Sequence, residues 1–94
     1  MPLSIKFIGA LRLISGKTQL KVDFQEGTSL KELVAKLSQE LPQLEKTFSD
    51  QQLTDSKSNS LILVNGREIS VLDGYETKLN DGDEIVFVPV VHGG

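Results

Sequence analysis

The sequence contains no cysteine among its 94 residues. Without thiols the chain has no disulfide framework, no thiolate-held zinc or iron–sulfur centre and no cysteine nucleophile. The ferredoxin-type electron carriers, which are one main use of small sheet-and-helix domains, are therefore excluded. His92 is the only histidine, and one histidine with scattered carboxylates does not form a convincing set of metal ligands. We expect no metal site.

Clusters of basic residues and long hydrophobic runs are also missing. The formal net charge is −3, and lysine and arginine nowhere form a run. A surface that binds nucleic acid or anionic membrane normally shows a basic patch, so neither is expected as a direct partner. No apolar stretch approaches the roughly 20 residues that cross a bilayer, and residues 1–6 lack the layout of a signal peptide. We expect a cytoplasmic protein.

Two alternating segments near the amino end predict an antiparallel pair of strands. Residues 3–7 and 20–24 each alternate apolar with polar side chains, which is the period of a half-buried strand. Residues 9–17 contain two glycines and are predicted to be the connection between the strands.

A capped helix is the firmest element in the sequence. Ser29 and Glu32 have the spacing of a capping box, in which each side chain accepts a hydrogen bond from the other residue's backbone N–H. The helix ends before Pro42, which cannot continue it. Its apolar stripe comprises Leu30, Leu33, Val34, Leu37 and Leu41.

The second half of the chain adds two more predicted strands. Residues 43–59 are polar, with Leu44, Phe48 and Leu53 as the expected anchors to the core. Residues 61–64 form an apolar strand that ends at the turn signal Asn65-Gly66. The turn at residues 80–82 then leads into the last strand, residues 83–89.

The order strand, strand, helix, strand, strand predicts an α+β fold of the β-grasp (ubiquitin-like) type. We expect a mixed sheet of four to five strands with one main helix across one face. The domain comprises residues 1–89, and residues 90–94 form a flexible Gly-Gly tail. The helix is expected to pack on Leu3, Ile5, Phe7, Leu20, Val22, Phe24, Ile85 and Phe87.

The last sixteen residues, LNDGDEIVFVPVVHGG, resemble the terminal signature of the molybdopterin synthase small subunit. That signature places Asp-Gly-Asp-Glu before an apolar strand with phenylalanine and proline, and ends in Gly-Gly. Residues 64–68 and 72–77 are similar to longer forms of that subunit, and residues 7–12 loosely match its opening strand. The molybdopterin subunit commonly has a second proline and a small or hydroxyl residue where this chain has Val90 and His92. A His-Gly-Gly ending is instead similar to the ubiquitin-related modifier, and archaeal small modifier proteins share both patterns.

The resemblance implies chemistry at the carboxylate of Gly94. An adenylating enzyme similar to the ubiquitin activators would use Mg-ATP to place AMP on this carboxylate. A sulfur donor of the rhodanese or cysteine desulfurase type would then convert it to a thiocarboxylate. The recipient would be a molybdopterin synthase large subunit or a tRNA thiolation enzyme. No cofactor is expected to stay bound to the chain itself.

The physical role of the tail follows from its composition. Glycine has no Cβ, so Gly93 and Gly94 can pass through a narrow channel to a partner's active site. Val90, Val91 and His92 are expected to be the extended segment that the partner grips. His92 lacks an adjacent orienting carboxylate, so recognition is preferred to catalysis as its role. A Gly-Gly end also arises by chance in roughly 0.5% of chains, which leaves an idle tail as the alternative.

An outward-facing apolar surface is the second candidate site. If Ile85 and Phe87 face the helix, then Val86 and Val88 point away from it, and Ile8 lies on the same outer face. The strand at residues 61–64 adds two apolar groups there, and Pro89 leads into the tail. Such a face indicates a docking surface for a partner protein, unless residues 43–59 or 68–78 cover it.

Three functions remain open from the sequence. The chain is a sulfur carrier of molybdopterin synthase, a ubiquitin-related modifier serving tRNA thiolation or lysine conjugation, or a non-covalent β-grasp interaction module. Catalysis by this chain alone is not expected, because the sequence offers neither a nucleophile–base pair nor a phosphate-cradling loop.

Overall fold

The computed structural model describes residues 2–44 and 60–89. Five strands and two α-helices lie in these ranges, with single turns of 3-10 helix between some of them. Their bounds are β1 Leu3–Phe7, α1 Ala10–Ser15, β2 Gln19–Val22, α2 Leu30–Glu40, β3 Ser60–Val64, β4 Arg67–Glu68 and β5 Glu84–Pro89.

The strands form one mixed sheet in the order β2-β1-β5-β3-β4. β5 is the central strand, parallel to β1 on one side and antiparallel to β3 on the other. The outer pairs, β1 with β2 and β3 with β4, are antiparallel. A parallel pair needs a long crossover connection, and α2 lies within that connection. This topology is the predicted β-grasp.

Helix α2 begins at the predicted capping box. The Ser29 hydroxyl accepts a hydrogen bond from the Glu32 N–H at 3.3 Å, and the Glu32 carboxylate accepts one from the Ser29 N–H at 3.2 Å. The helix ends at Glu40, because Pro42 cannot continue it. The predicted apolar stripe, Leu30, Leu33, Val34, Leu37 and Leu41, is buried throughout.

The core lies between α2 and one face of the sheet. Side chains of β1 alternate between buried and partly exposed, as the sequence period requires. Phe7 and Phe87 are opposite each other across the β1–β5 pair, and their rings stack with centroids 5.8 Å apart. The predicted helix contacts are confirmed: six are buried and two, Leu20 and Phe24, pack partly buried against them. β2 ends at Val22, so Phe24 packs from the connection that follows the strand.

The connection predicted for residues 9–17 is wrong in part, since it contains the helix α1. Its apolar residues include Leu11, which is buried one turn before Ser15 on the same helix face. Gly9 and Gly16 have φ values of 60° and 75°, and Gly16 closes the helix in the left-handed conformation. The two glycines therefore mark the boundaries of a one-and-a-half-turn helix rather than a loop.

Both predicted turns are confirmed. Asn65 and Gly66 have φ values of 51° and 85°, the left-handed pair that joins β3 to β4 in a tight hairpin. Gly82, with φ 82°, lies in the turn closed by the Asp83 N–H to the Asn80 carbonyl at 3.0 Å. Of the expected anchors, Leu44 is fully buried, while Phe48 and Leu53 lie outside the described residues.

None of the helices within residues 2–44 and 60–89 has the length and apolar character required to cross a membrane.

Candidate docking face and carrier tail

The tail follows the best-anchored strand of the sheet. β5 is hydrogen-bonded on both sides, and its last residue, Pro89, pairs in register with Ser60 of β3. Residues 90–94 lie outside the described residues. The roles of Val90, Val91, His92, Gly93 and Gly94 therefore stay predictions, and the structure describes the platform from which that segment leaves.

An apolar surface lies on the outer face of the sheet, on the side opposite α2. Because Ile85 and Phe87 are buried, their neighbours Val86 and Val88 point outward. Strand register sets Leu61 opposite Val88 and Leu63 opposite Val86. We name the five outward apolar residues the outer apolar patch: Ile8, Leu61, Leu63, Val86 and Val88.

Ile8 extends this patch at the end of the sheet from which the tail leaves. Its N–H donates to the Phe87 carbonyl at 3.0 Å, so the β1–β5 pairing continues one residue beyond β1. Ile8 and Leu61 are 43% and 37% exposed, and they lie on opposite sides of β5, with Val88 between them. The structure thus places the predicted Ile8, Val86 and Val88 on one face. Their role in binding stays a prediction.

A polar strip adjoins the outer apolar patch on the same face. It consists of outward residues of β1, β2 and the start of β5: Ser4, Lys6, Gln19, Lys21 and Glu84. The Lys6 ammonium lies 3.0 Å from the Glu84 carboxylate, and the Gln19 amide donates to the Ser4 hydroxyl at 3.0 Å. Lys6 was not among the site residues predicted from the sequence, although its position between Ile5 and Phe7 indicates an outward direction.

The clear pKa shifts in the described residues have structural causes. Hydrogen bonds from the Ser29 backbone and hydroxyl lower the pKa of Glu32, and the positive charge of Lys78 adds to this effect. Burial raises the pKa of Tyr75. Neither residue belongs to the outer apolar patch or the polar strip.

Within residues 2–44 and 60–89, no group of three or more His, Asp or Glu side chains is placed to hold a metal ion. A shallow groove lined by Asp23, Phe24, Glu26 and Asp81 is acidic but does not form such a group.

The sheet order and the main helix define the fold class of the protein. A mixed five-stranded sheet with one main helix across one face is the ubiquitin-like β-grasp architecture. A profile of the ThiS family matches residues 5–94 of this sequence. The chain belongs to the ThiS family.

Two relatives are similar over most of their length. Small archaeal modifier protein 3 of Haloferax volcanii is 28% identical over 95 residues, covering 100% of both chains. A candidate sulfur carrier protein of Archaeoglobus fulgidus is 39% identical over 77 residues, covering 80% of this chain and 83% of the relative. The general function is therefore that of a sulfur carrier or ubiquitin-like modifier.

Solved structures of the same kind of protein are also similar to this chain. Small archaeal modifier protein 1 of Methanosarcina acetivorans superposes with a TM-score of 0.80 at 28% identity, covering 99% of this chain and 96% of that one. Urm1 of Trypanosoma brucei gives 0.77 at 29% identity, with 99% and 95% covered. Subunit 1 of the molybdopterin-converting factor of Helicobacter pylori, solved in complex with subunit 2, gives 0.60 at 26% identity with full coverage of both chains.

Proposed function

We propose that this chain is a sulfur carrier that acts through the carboxylate of Gly94. An adenylating enzyme similar to the ubiquitin activators joins this carboxylate to AMP, and sulfur then replaces AMP. The resulting thiocarboxylate donates sulfur to a molybdopterin precursor, with this chain as the small subunit of the synthase. The observation that supports this most directly is the position of β5. It is the central strand of the sheet, it carries Val86 and Val88 of the outer apolar patch, and the tail follows it in the sequence.

Activation is required because a free carboxylate is a poor acyl donor. With a pKa of roughly 3.5, a terminal carboxyl group is ionised at neutral pH. In the proposed first step the Gly94 carboxylate oxygen attacks the α-phosphorus of Mg-ATP and pyrophosphate leaves. A persulfide of a rhodanese or cysteine desulfurase type donor then displaces AMP. A thiol reduces the acyl disulfide so formed, which leaves the thiocarboxylate and a disulfide on the donor side.

The platform explains how a five-residue tail can be delivered accurately. β1 and β3 hold β5 on both sides, so the base of the tail keeps a fixed position relative to the outer apolar patch. In the proposed complex, a partner that covers the patch therefore meets the tail at a fixed starting point. Holding a reacting group in this way lowers the entropic cost of reaction.

A second candidate is the ubiquitin-related modifier function, in tRNA thiolation or in conjugation to lysine. The ending His92-Gly93-Gly94 favours it, as do the similarities to Urm1 and to the small archaeal modifier proteins at 28–29% identity. Both candidates share activation at Gly94 and differ in what receives the activated carbonyl or its sulfur. The third possibility, a non-covalent interaction module, requires no activation.

Intact mass spectrometry tests the shared step. The chain is incubated with the cognate activating enzyme, Mg-ATP and a sulfur donor, and we expect a mass increase equal to replacement of one oxygen by sulfur. Stable co-purification with a molybdopterin synthase large subunit then supports the first candidate. Conjugates on lysine, or transfer of sulfur to tRNA, support the second. An unchanged mass with every cognate activator favours the non-covalent module.

A further inference from the structure

The ion pair between Lys6 and Glu84 lies at the border of the outer apolar patch. Lys6 is directly opposite Val86 in the β1–β5 register, and Glu84 precedes Val86 by two residues on the same face of β5. The two charged groups are 3.0 Å apart, and each side chain is 43% exposed. A partner that covers Val86 therefore also meets this pair.

The charge of the polar strip differs in sign from that of the whole chain. The strip contains Lys6, Lys21 and one carboxylate, Glu84, while the chain as a whole has a formal net charge of −3. Lys21 lies opposite Ser4 in the β1–β2 register. The Ser4 hydroxyl is held by Gln19, so uncharged groups separate the two lysines. The polar strip thus carries an excess of positive charge on one side of the outer apolar patch, while Glu68, opposite Leu63 in the β3–β4 register, places a carboxylate on the other side.

An exposed ion pair contributes little to the stability of a fold. Charges at the rim of an interface instead steer association and penalise partners of the wrong sign. A charged partner therefore distinguishes this orientation of the pair, with lysine on β1 and glutamate on β5, from the reverse orientation.

We propose that Lys6 and Glu84 determine which tail-activating enzyme the chain accepts. The enzyme that fits presents a carboxylate to Lys6 and Lys21 beside an apolar surface that covers the outer apolar patch. The inference rests on the proposed function, because the partner concerned is the enzyme that activates Gly94.

A charge swap, Lys6→Glu with Glu84→Lys, tests the inference. The double variant keeps the composition, the net charge and an ion pair at the same place, but reverses its direction. With the cognate activating enzyme, we expect the KM for the chain in ATP–pyrophosphate exchange to rise about tenfold, which is about 1.4 kcal/mol of binding. The kcat should be nearly unchanged, since Gly94 is unaltered. The difference in KM should shrink as salt is raised.

A matched control is available on α2, which lies on the other face of the sheet. Lys36 and Glu40 form an exposed pair at 4.0 Å, and the Lys36 ammonium also donates to the Asp23 carbonyl at 2.9 Å. Lys36→Glu with Glu40→Lys exchanges the two charges there. We expect its KM to equal that of the parent chain. Melting temperatures of both double variants show whether folding is affected. If the outer swap does not fold, Lys6→Gln provides the test, with a smaller rise in KM.

Two failures are distinguishable. An unchanged KM for the outer swap, or an equal rise for the α2 swap, overturns the role of Lys6 and Glu84 while the proposed function stands. If no cognate enzyme activates the parent chain, the proposed function is overturned, and this inference with it.

Discussion

Asn65 ties the β3–β4 hairpin to the start of the central strand. Its own N–H donates to the Glu84 carbonyl at 2.8 Å, and its side-chain oxygen accepts from the Glu84 N–H at 2.9 Å. Its side-chain amide donates to the Asp83 carboxylate at 2.8 Å. The backbone φ is 51°, a conformation that asparagine and glycine tolerate better than other residues.

Replacement of this asparagine separates its two roles. We expect Asn65→Ala to lower the free energy of unfolding by about 1–3 kcal/mol, because it loses the side-chain hydrogen bonds and strains the backbone. Asn65→Gly loses the same bonds without the strain, so it should be destabilised less. Urea unfolding measures both. An alanine variant as stable as the parent chain would contradict this assignment.

Glu32 gives the capping box a pH dependence. Its pKa is lowered in the folded chain by the hydrogen bonds from Ser29 and by Lys78. A lowered pKa means that the ionised carboxylate stabilises the fold above the unfolded pKa, which is about 4.3. This contribution is lost as the pH falls through the folded pKa. We therefore expect the stability difference between the parent chain and Glu32→Gln to be constant near pH 7 and to shrink below pH ~4. Urea unfolding across this pH range measures the stability difference. A difference that grows in acid would contradict a lowered pKa of Glu32.

At the scale of elements, α1 is a short helix fixed to the core by one side of its surface. Leu11 is 3% exposed and Leu13 is 87% exposed. The Gln43 amide donates to the Ser15 carbonyl at 3.2 Å, which joins the end of α1 to the 3-10 turn after α2. The helix therefore contributes to the core despite its six residues.

A pair of leucine variants tests this account of α1. We expect Leu11→Ala to lower the free energy of unfolding by about 2–5 kcal/mol, because it leaves a cavity in the core. Leu13→Ala removes the same atoms from an exposed site and should change stability by less than about 0.5 kcal/mol. Equal effects in chemical denaturation would show that residues 9–17 do not pack as described.

Strand β5 has a buried face and an outward face, so substitutions on the two faces test stability and the proposed docking separately. We expect Phe87→Ala to cost about 3–5 kcal/mol of stability, since the ring is fully buried against Phe7. Val88→Thr keeps a β-branched side chain on the outer face and should leave the fold nearly as stable. It should weaken activation at low concentrations of the chain, measured as a raised KM. A Val88→Thr variant with parental KM would argue against docking through the outer apolar patch.

Regular, local signals in the sequence predicted most of these elements. The Ser29–Glu32 spacing and the leucine period predicted α2, the alternation at residues 3–7 and 20–24 predicted β1 and β2, and the turn at residues 80–82 marked the start of β5. α1 was missed because six residues are too few to show a helical period between two glycines. The pairing of Leu61 with Val88 and of Lys6 with Glu84 depends on strand register between distant segments, which no local pattern specifies.

At the scale of the whole molecule, the two faces of the sheet differ in burial. The inner face and α2 form a closed hydrophobic core, which fixes the position of β5. The outer face carries the outer apolar patch and the polar strip, where we propose that a partner binds. Because β5 belongs to both faces, the core stabilises the same strand from which the proposed reacting segment leaves.

This division predicts that the proposed chemistry at the tail is independent of folding. The most direct test compares the full chain with a chain that ends at Gly93, each incubated with activating enzyme, Mg-ATP and sulfur donor. We expect intact mass spectrometry to show oxygen-to-sulfur exchange in the full chain only, and thermal melting to give nearly equal midpoints for both chains. Sulfur incorporation into the shortened chain, or a large loss of its melting temperature, would contradict the claim that Gly94 is a free acyl carrier.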